Sequence, residues 1–282
     1  MTKAKTKTSG HKITLNALQL SKAIDSLAEL IPPESRHMKI CLRVLPAEEM
    51  FKVQLTAIED RIIMTQGLSA VVEGGNEVSL AIDIAMWKAF GAYIKEASKR
   101  DVVYEANIFI DTSDVVTFAL RKAFDTFVKI TCDSSKVKFP DYLHLTEQAA
   151  RGVKIGRFAD LTAIVTRLQE YKNFKSTDHS FSPTVTLTTY KDDFSTEKNW
   201  VQMSFSESPK KFPPLAVSVD FYETVAFPDC EVMFNSQLLW HAFKRANKQV
   251  TWAGWLNNDS QQLFTGDNNL GPVSFLIMPR GL

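Results

Sequence analysis

The sequence predicts an α+β fold of repeated β-α-β-β-β units, two domains per chain, and three observations predict it. A short strand, a polar or small break and an amphipathic helix recur four times. Each helix is followed by stretches of β-branched and aromatic residues with partial alternation. The recurrences start at Lys12, Glu77, Gly152 and Glu231, at roughly even spacing. Self-similarity at a long period marks a repeat architecture, and four units make two domains of two.

The elements follow in order. "KITLNALQLSKAIDSLAEL" opens the first unit, and "FKVQLTAIED" and "RIIMTQGLSAVVEG" supply its later strands. "EVSLAIDIAMWKAFGAYIKEASK" opens the second, and "VVTFALRKAFDTFVKIT" continues it. At "KFPDYLHLTEQAARG" the strands stop, which places the domain boundary there, between residues 12–146 and 147–282. "GVKIGRFADLTAIVTRLQEYK" begins the third unit, with strands at "TVTLTTYK", "WVQMSFSES" and "LAVSVDFYETV". The fourth runs from "EVMFNSQLLWHAFKRAN" through "VTWAGWL", "QQLFTG" and "VSFLIMP". Alternation over four to eight residues argues strand, and apolar recurrence at three to four residues argues helix. Loops are predicted at "KNFKSTDHSFSP", "KDDFSTEKN" and "ESPKKFPP".

Net charge is +1, yet its distribution is uneven. The first twelve residues hold four lysines and no acid, leaving 29 basic against 32 acidic residues. Residues 1–11 read as a flexible basic arm, most simply a solvated tail. In the second helix Trp87, Phe90, Ile94 and Ala97 share a face, which predicts packing on a sheet. Lys88, Lys95 and Lys99 fall opposite, with Arg100 just beyond. In the fourth helix Leu238, Leu239, Ala242, Phe243 and Ala246 form the apolar stripe, and His241, Lys244, Arg245 and Lys248 fall opposite. The third helix carries Arg157, Arg167 and Lys172, diluted by Asp160 and Glu170. The first has Lys22 beside Asp25 and Glu29. Charged outer faces are usually only solvated, but a basic stripe on a slightly acidic body is also what binding to a phosphate backbone requires.

The search for reaction chemistry yields nothing positive. There is no Gly-rich phosphate loop, HExxH or GxSxG, and His11, His37, His144, His179 and His241 are scattered. Glu48 with Glu49 and Asp192 with Asp193 read as surface charge in loops. Cys41, Cys132 and Cys230 are few and far apart, which argues against a disulfide framework and a zinc site. These observations predict a soluble, cytoplasmic protein that is not an enzyme and needs no cofactor or metal.

Four motifs carry a family resemblance. "TAIEDRIIMTQ" is similar to the "ATDGHRLAV" strand pair of the bacterial-type DNA sliding clamp, the beta subunit of the replicative polymerase. "KFPDYLHL" carries the F-P-D-Y run that closes that family's middle domain. "FNSQLLWHAFKRAN" resembles its Phe-Asn-x-x-x-Leu helix entry, and "FLIMPRGL" resembles its terminal "VVMPMRL". They fall in the family's order across nearly the whole chain after residue 11.

The resemblance implies a DNA-clamp fold that forms a ring around duplex DNA. Its helices would contact DNA through Lys88, Lys95, Lys99, Arg100, Arg167, Lys172, Lys244, Arg245 and Lys248. An apolar pocket would take short linear motifs of DNA polymerase and clamp loader. Carried over by position, that pocket would use Arg61, Ile62, Leu143, Leu145, Leu276, Met278, Pro279, Arg280 and Leu282. The tail reads "PRGL" where the family has "PMRL". The bacterial clamp has three domains per chain and closes as a dimer, whereas this chain has room for two, which suggests a phage or plasmid version closing as a homotrimer. The subunit interface would then use Phe124, Phe127 and Ile130 of one chain. From the next chain it would use Ala216, Val217 and Val219, with Leu168 and Tyr171 behind them. The alternative is a clamp-like interaction scaffold that does not encircle DNA.

Overall fold

The computed structural model describes residues 10–280, apart from 36–37, 47–48, 50–51, 75–76, 100–103, 123–124, 134–138, 159–160, 174–182, 191–199, 207–211, 222–230, 248 and 255–259. The predicted loops around residues 174–182, 191–199 and 207–211 therefore lie largely outside the described residues, as does the basic arm up to residue 9. The chain divides into two units. Unit 1 comprises Met1–Glu59 and Thr65–Pro140, and unit 2 comprises Asp60–Met64 and Asp141–Leu282.

Unit 1 contains β1 (His11–Asn16), α1 (Ala17–Ala28), β2 (Lys39–Val44), β3 (Val53–Glu59), β4 (Ile62–Leu68), β5 (Ala70–Glu73), β6 (Val78–Asp83), α2 (Ile84–Ser98), β7 (Glu105–Ile110), β8 (Val115–Lys122) and β9 (Asp125–Asp133). One sheet has the order β5-β1-β7-β8-β9, and the other runs β4-β3-β2-β6. All the registered ladders here are antiparallel, for example Ile13 opposite Ile108 and Leu42 opposite Leu80. The first residues of β4 cluster with unit 2.

The helix starts are written in local chemistry. The Asn16 side chain accepts from the Gln19 amide to cap α1, and Asp83 does the same for Ala85 at α2. Both caps sit where strand gives way to helix, so the β-to-α switch of each unit is encoded in one residue. Behind α2, Trp87 and Phe90 are fully buried against Phe118 of β8, with ring centroids 4.9 and 5.1 Å apart. Edge-to-face aromatic contact adds to the burial of apolar area in such a cluster.

Unit 2 contains α3 (Leu143–Ala150), β10 (Val153–Phe158), α4 (Thr162–Lys172), β11 (Thr184–Tyr190), β12 (Trp200–Phe205), β13 (Leu215–Phe221), β14 (Glu231–Asn235), α5 (Ser236–Arg245), β15 (Val250–Gly254), β16 (Gln262–Asn268) and β17 (Gly271–Ile277). Its strands run β14-β11-β12-β13-β10-β15-β16-β17. Asn235 repeats the cap of Asn16 and Asp83, accepting from Gln237 and Leu238. The core is again aromatic, with Phe158, Phe234, Phe243, Trp252 and Phe264 all fully buried. Gln262 is buried with them and accepts a 2.9 Å hydrogen bond from the Trp252 indole.

Three differences from the sequence reading concern elements. "YLHLTEQAARG" is helical as α3, so residues 141–146 belong with unit 2 instead of the first domain. Ala149, on the inner side of α3, packs with Leu263 of β16, which draws the segment there. The stretch "RIIMTQGLSAVVEG" forms two strands, β4 and β5, one more than a β-α-β-β-β unit has, and β5 crosses to pair with β1. The basic arm ends sooner than residue 11, because His11 already pairs with Ile110 in β1.

The Phe118 cluster tests the packing of unit 1. Phe118→Ala should lower stability by about 3–5 kcal/mol, the usual cost of truncating a fully buried phenylalanine. Urea unfolding followed by tryptophan fluorescence reports it, and a loss below about 1 kcal/mol would contradict the packing.

Candidate functional sites: a terminal apolar cluster and two helix faces

The end of the chain is tied down. Beyond β17, the Met278 amide donates to the Arg61 carbonyl at 2.9 Å, and the Arg280 amide donates to the Met233 carbonyl at 2.8 Å. The Arg280 guanidinium donates to the Thr184 hydroxyl at 2.9 Å. These three bonds join the tail to the Asp60–Met64 segment, β14 and β11, all within unit 2.

A small apolar cluster lies beside the tail. Leu276 of β17, Leu263 of β16 and Ala149 of α3 are buried, and Leu145 and Ile63 pack on them partly exposed. Leu143 and Met278 are also half-buried, Pro279 is buried, and Arg61 is exposed. The structure thus gathers Leu145 and Leu276 of the predicted pocket into one cluster and brings Met278 to Arg61. It does not give Ile62 that position. Ile62 is 1% exposed and points into the core, and the partly exposed neighbour on this strand is Ile63. Side chains alternate along a strand, so a shift of one residue exchanges the faces. Arg280 is committed to Thr184, and Leu282 lies outside the described residues. The sequence reading missed Ile63, Ala149 and Leu263. The helical spacing of Leu145 and Ala149 was the available signal for Ala149.

On the helix faces of unit 1, Lys88, Lys95 and Lys99 are exposed on α2, opposite Trp87, Phe90 and Ile94, and Lys22 is exposed on α1. Two of these lysines are paired. Lys95 Nζ lies 2.6 Å from Asp25 Oδ1 on α1, and Lys99 Nζ lies 2.7 Å from Glu96 Oε2.

Unit 2 departs further from expectation. Arg245, expected on the solvent face, is 9% exposed and in close contact with the His241 imidazole, itself 5% exposed. Both lie one helical turn apart on α5, where the ring of Trp240 also packs on His241. Lys244 remains exposed, its ammonium 4.2 Å above the Trp240 ring. Arg167 is partly exposed, 3.8 Å from Glu170. Lys172 lies at the end of α4, and Arg100 and Lys248 fall outside the described residues.

For the expected subunit contact, Leu168 and Tyr171 are fully buried inside unit 2, Tyr171 packing on Phe205 and Phe212. Val217 and Val219 are buried as well, and only Ala216 of the β13 set is exposed. These four side chains are core residues and present no free surface. In β9, Ile130 is half-buried, Phe127 belongs to the strand, and Phe124 lies outside the described residues.

Among the described residues no group of three His, Cys, Asp or Glu could hold a metal. Burial pushes the Cys41 thiol above its usual range. Burial first, then Asp133 and Asp83, push up Cys132. Thiols shifted this way are poor nucleophiles at neutral pH.

Two units of paired strand–helix–strand repeats with antiparallel sheets share the fold of solved DNA sliding clamps. The DNA polymerase sliding clamp of Pseudomonas aeruginosa superposes with a TM-score of 0.67 at 13% identity, over 100% of this chain and 69% of that one. The DNA polymerase III beta subunit of Thermotoga maritima gives 0.68 at 13%, covering 100% and 68%. The Helicobacter pylori beta clamp, solved bound to a DNA ligase peptide, gives 0.64 at 12%, covering 100% and 68%. No family model and no curated protein matches the sequence.

The Arg280–Thr184 bond gives a prediction for the tail. Arg280→Ala should cost about 1.5–3 kcal/mol, as for a hydrogen bond with a charged partner. Thr184→Val should cost a similar amount, and the double variant little more than either. Additive losses in urea unfolding would show that the two side chains do not act as a pair.

Proposed function

We propose that this protein is a DNA sliding clamp, a processivity factor that encircles duplex DNA and tethers a polymerase. It catalyses no reaction. The observation that carries the reading is the clamp fold over the full chain. Exposed lysines on α2 and the apolar cluster beside the tail support it. Diffuse lysine–phosphate contacts hold DNA without fixing a register, and so permit sliding.

The apolar cluster of Leu145, Ile63, Leu263 and Leu276 is the docking site for polymerase and clamp loader. A partly exposed apolar cluster beside a hydrogen-bonded tail suits an extended peptide with one or two apolar anchors. The peptide bound to the Helicobacter pylori clamp is the model for this partner class.

The ring is a homotrimer. With two domains per chain, three chains supply six domains, the number in a dimer of three-domain clamps. Strand edges support the contact. β9 ends its sheet, with no described strand on its outer side. β13 pairs with β12 through Leu215–Ser218 and with β10 only through Val219–Phe221. The other side of Leu215–Ser218 therefore carries no described ladder. Unpaired edges of this kind recruit another chain. A head-to-tail contact between β9 of one copy and β13 of the next closes if the rotation per subunit is right.

Light scattering should give about 95 kDa, three times the 31.8 kDa chain. Ala216→Asp places a charge on the exposed side of β13 and should shift the mass to that of a monomer. A mass near 64 kDa, twice the chain mass, would refute this closure. A wild-type monomer at every concentration would favour the scaffold that does not encircle DNA.

A further inference from the structure

The outer face of α1 and α2 is less cationic than its lysines suggest. Lys22, Lys88, Lys95 and Lys99 are exposed there, but so are Asp25, Glu29 and Glu96. The ion pairs divide the lysines into two classes. Lys95 reaches across from α2 to Asp25 of α1, and Lys99 folds back one turn to Glu96. Among the described residues Lys22 and Lys88 have no such partner. All four paired side chains are more than half exposed, at 54% and 51% for the first pair and 71% and 63% for the second. They are open to a competing anion.

We infer that Asp25 and Glu96 set how tightly this helix face holds duplex DNA, by keeping Lys95 and Lys99 in ion pairs that a phosphate must displace. The inference rests on the sliding-clamp reading and deepens it. A phosphate that takes Lys95 from Asp25 gains one contact and leaves an uncompensated carboxylate facing the backbone. The net gain is small, and less counterion is released than two free lysines would release. Surface pairs of this type are weak enough to exchange. The face therefore offers Lys22 and Lys88 as standing contacts and Lys95 and Lys99 as conditional ones. A protein that must slide benefits from that balance, because every tight phosphate contact has to break at each step.

The test uses the full-length protein and a fluorescein-labelled duplex of about 40 base pairs, with anisotropy read over a salt series. Asp25→Asn with Glu96→Gln should raise affinity about tenfold at about 0.1 M salt. It should also steepen the slope of log K against log salt by up to about two, at roughly 0.9 per phosphate contact. Lys95→Ala with Lys99→Ala provides the second arm. It should cost less than about twofold in the otherwise wild-type protein and about tenfold in the Asn/Gln background. Equal losses in both backgrounds would overturn the inference while leaving the clamp reading in place, as would unchanged affinity in the Asn/Gln variant. No duplex binding by the wild type or any variant would overturn both. Unfolding curves of each variant confirm that a changed slope reports on charge and not on lost structure.

Discussion

A sheet edge is a row of unmet amide and carbonyl groups, and this fold depends on how those rows are met. Each βαβββ unit begins and ends in a strand, so it cannot close its own sheet. In unit 2 the last strand, β17, passes into a tail whose Met278 amide donates to Arg61. The Asp60–Met64 segment thereby clusters with unit 2 although the residues on either side of it belong to unit 1. In unit 1 the last strand, β9, occupies the corresponding position and has no described neighbour on its outer side.

The same repeat explains why the helix faces differ. Asn16, Asp83 and Asn235 cap the strand-to-helix switches at α1, α2 and α5, and the phase of each of these helices decides which residues turn outward. On α2 that phase exposes three lysines over an aromatic core. On α5 it turns His241 and Arg245 inward beside Trp240, leaving Lys244 outside. Of the four exposed lysines on α1 and α2, Asp25 and Glu96 hold half in ion pairs.

The repeated units were legible because they rest on local signals: apolar recurrence at helical spacing, alternation in strands, and cap residues at fixed places. The α2 face was legible for the same reason, since Trp87, Phe90 and Ile94 set it alone. Contacts distant in sequence were not. Lys95 and Asp25 are 70 residues apart, and nothing in the spacing of either helix announces their pairing. Arg245 misled because a charge opposite an apolar stripe ordinarily faces water, whereas the breadth of the buried arc on α5, reaching Trp240 and His241, carried it inside. Ile62 and Ile63 are adjacent isoleucines, so only the strand's pairing tells which faces the cluster of Leu145 and Leu276. α3 was hidden by its length of 8 residues, too short for periodicity to outweigh the Phe-Pro-Asp before it.

Topological linkage to DNA is the central claim, and one dissociation experiment addresses it without a loader. The protein is allowed to thread onto a linear duplex biotinylated at both ends, the ends are then capped with streptavidin, and release is followed after dilution. A ring that encircles DNA should leave open-ended duplex quickly and stay on the capped duplex, at salt concentrations that abolish ordinary electrostatic binding. Equal release from capped and open duplexes would contradict the account.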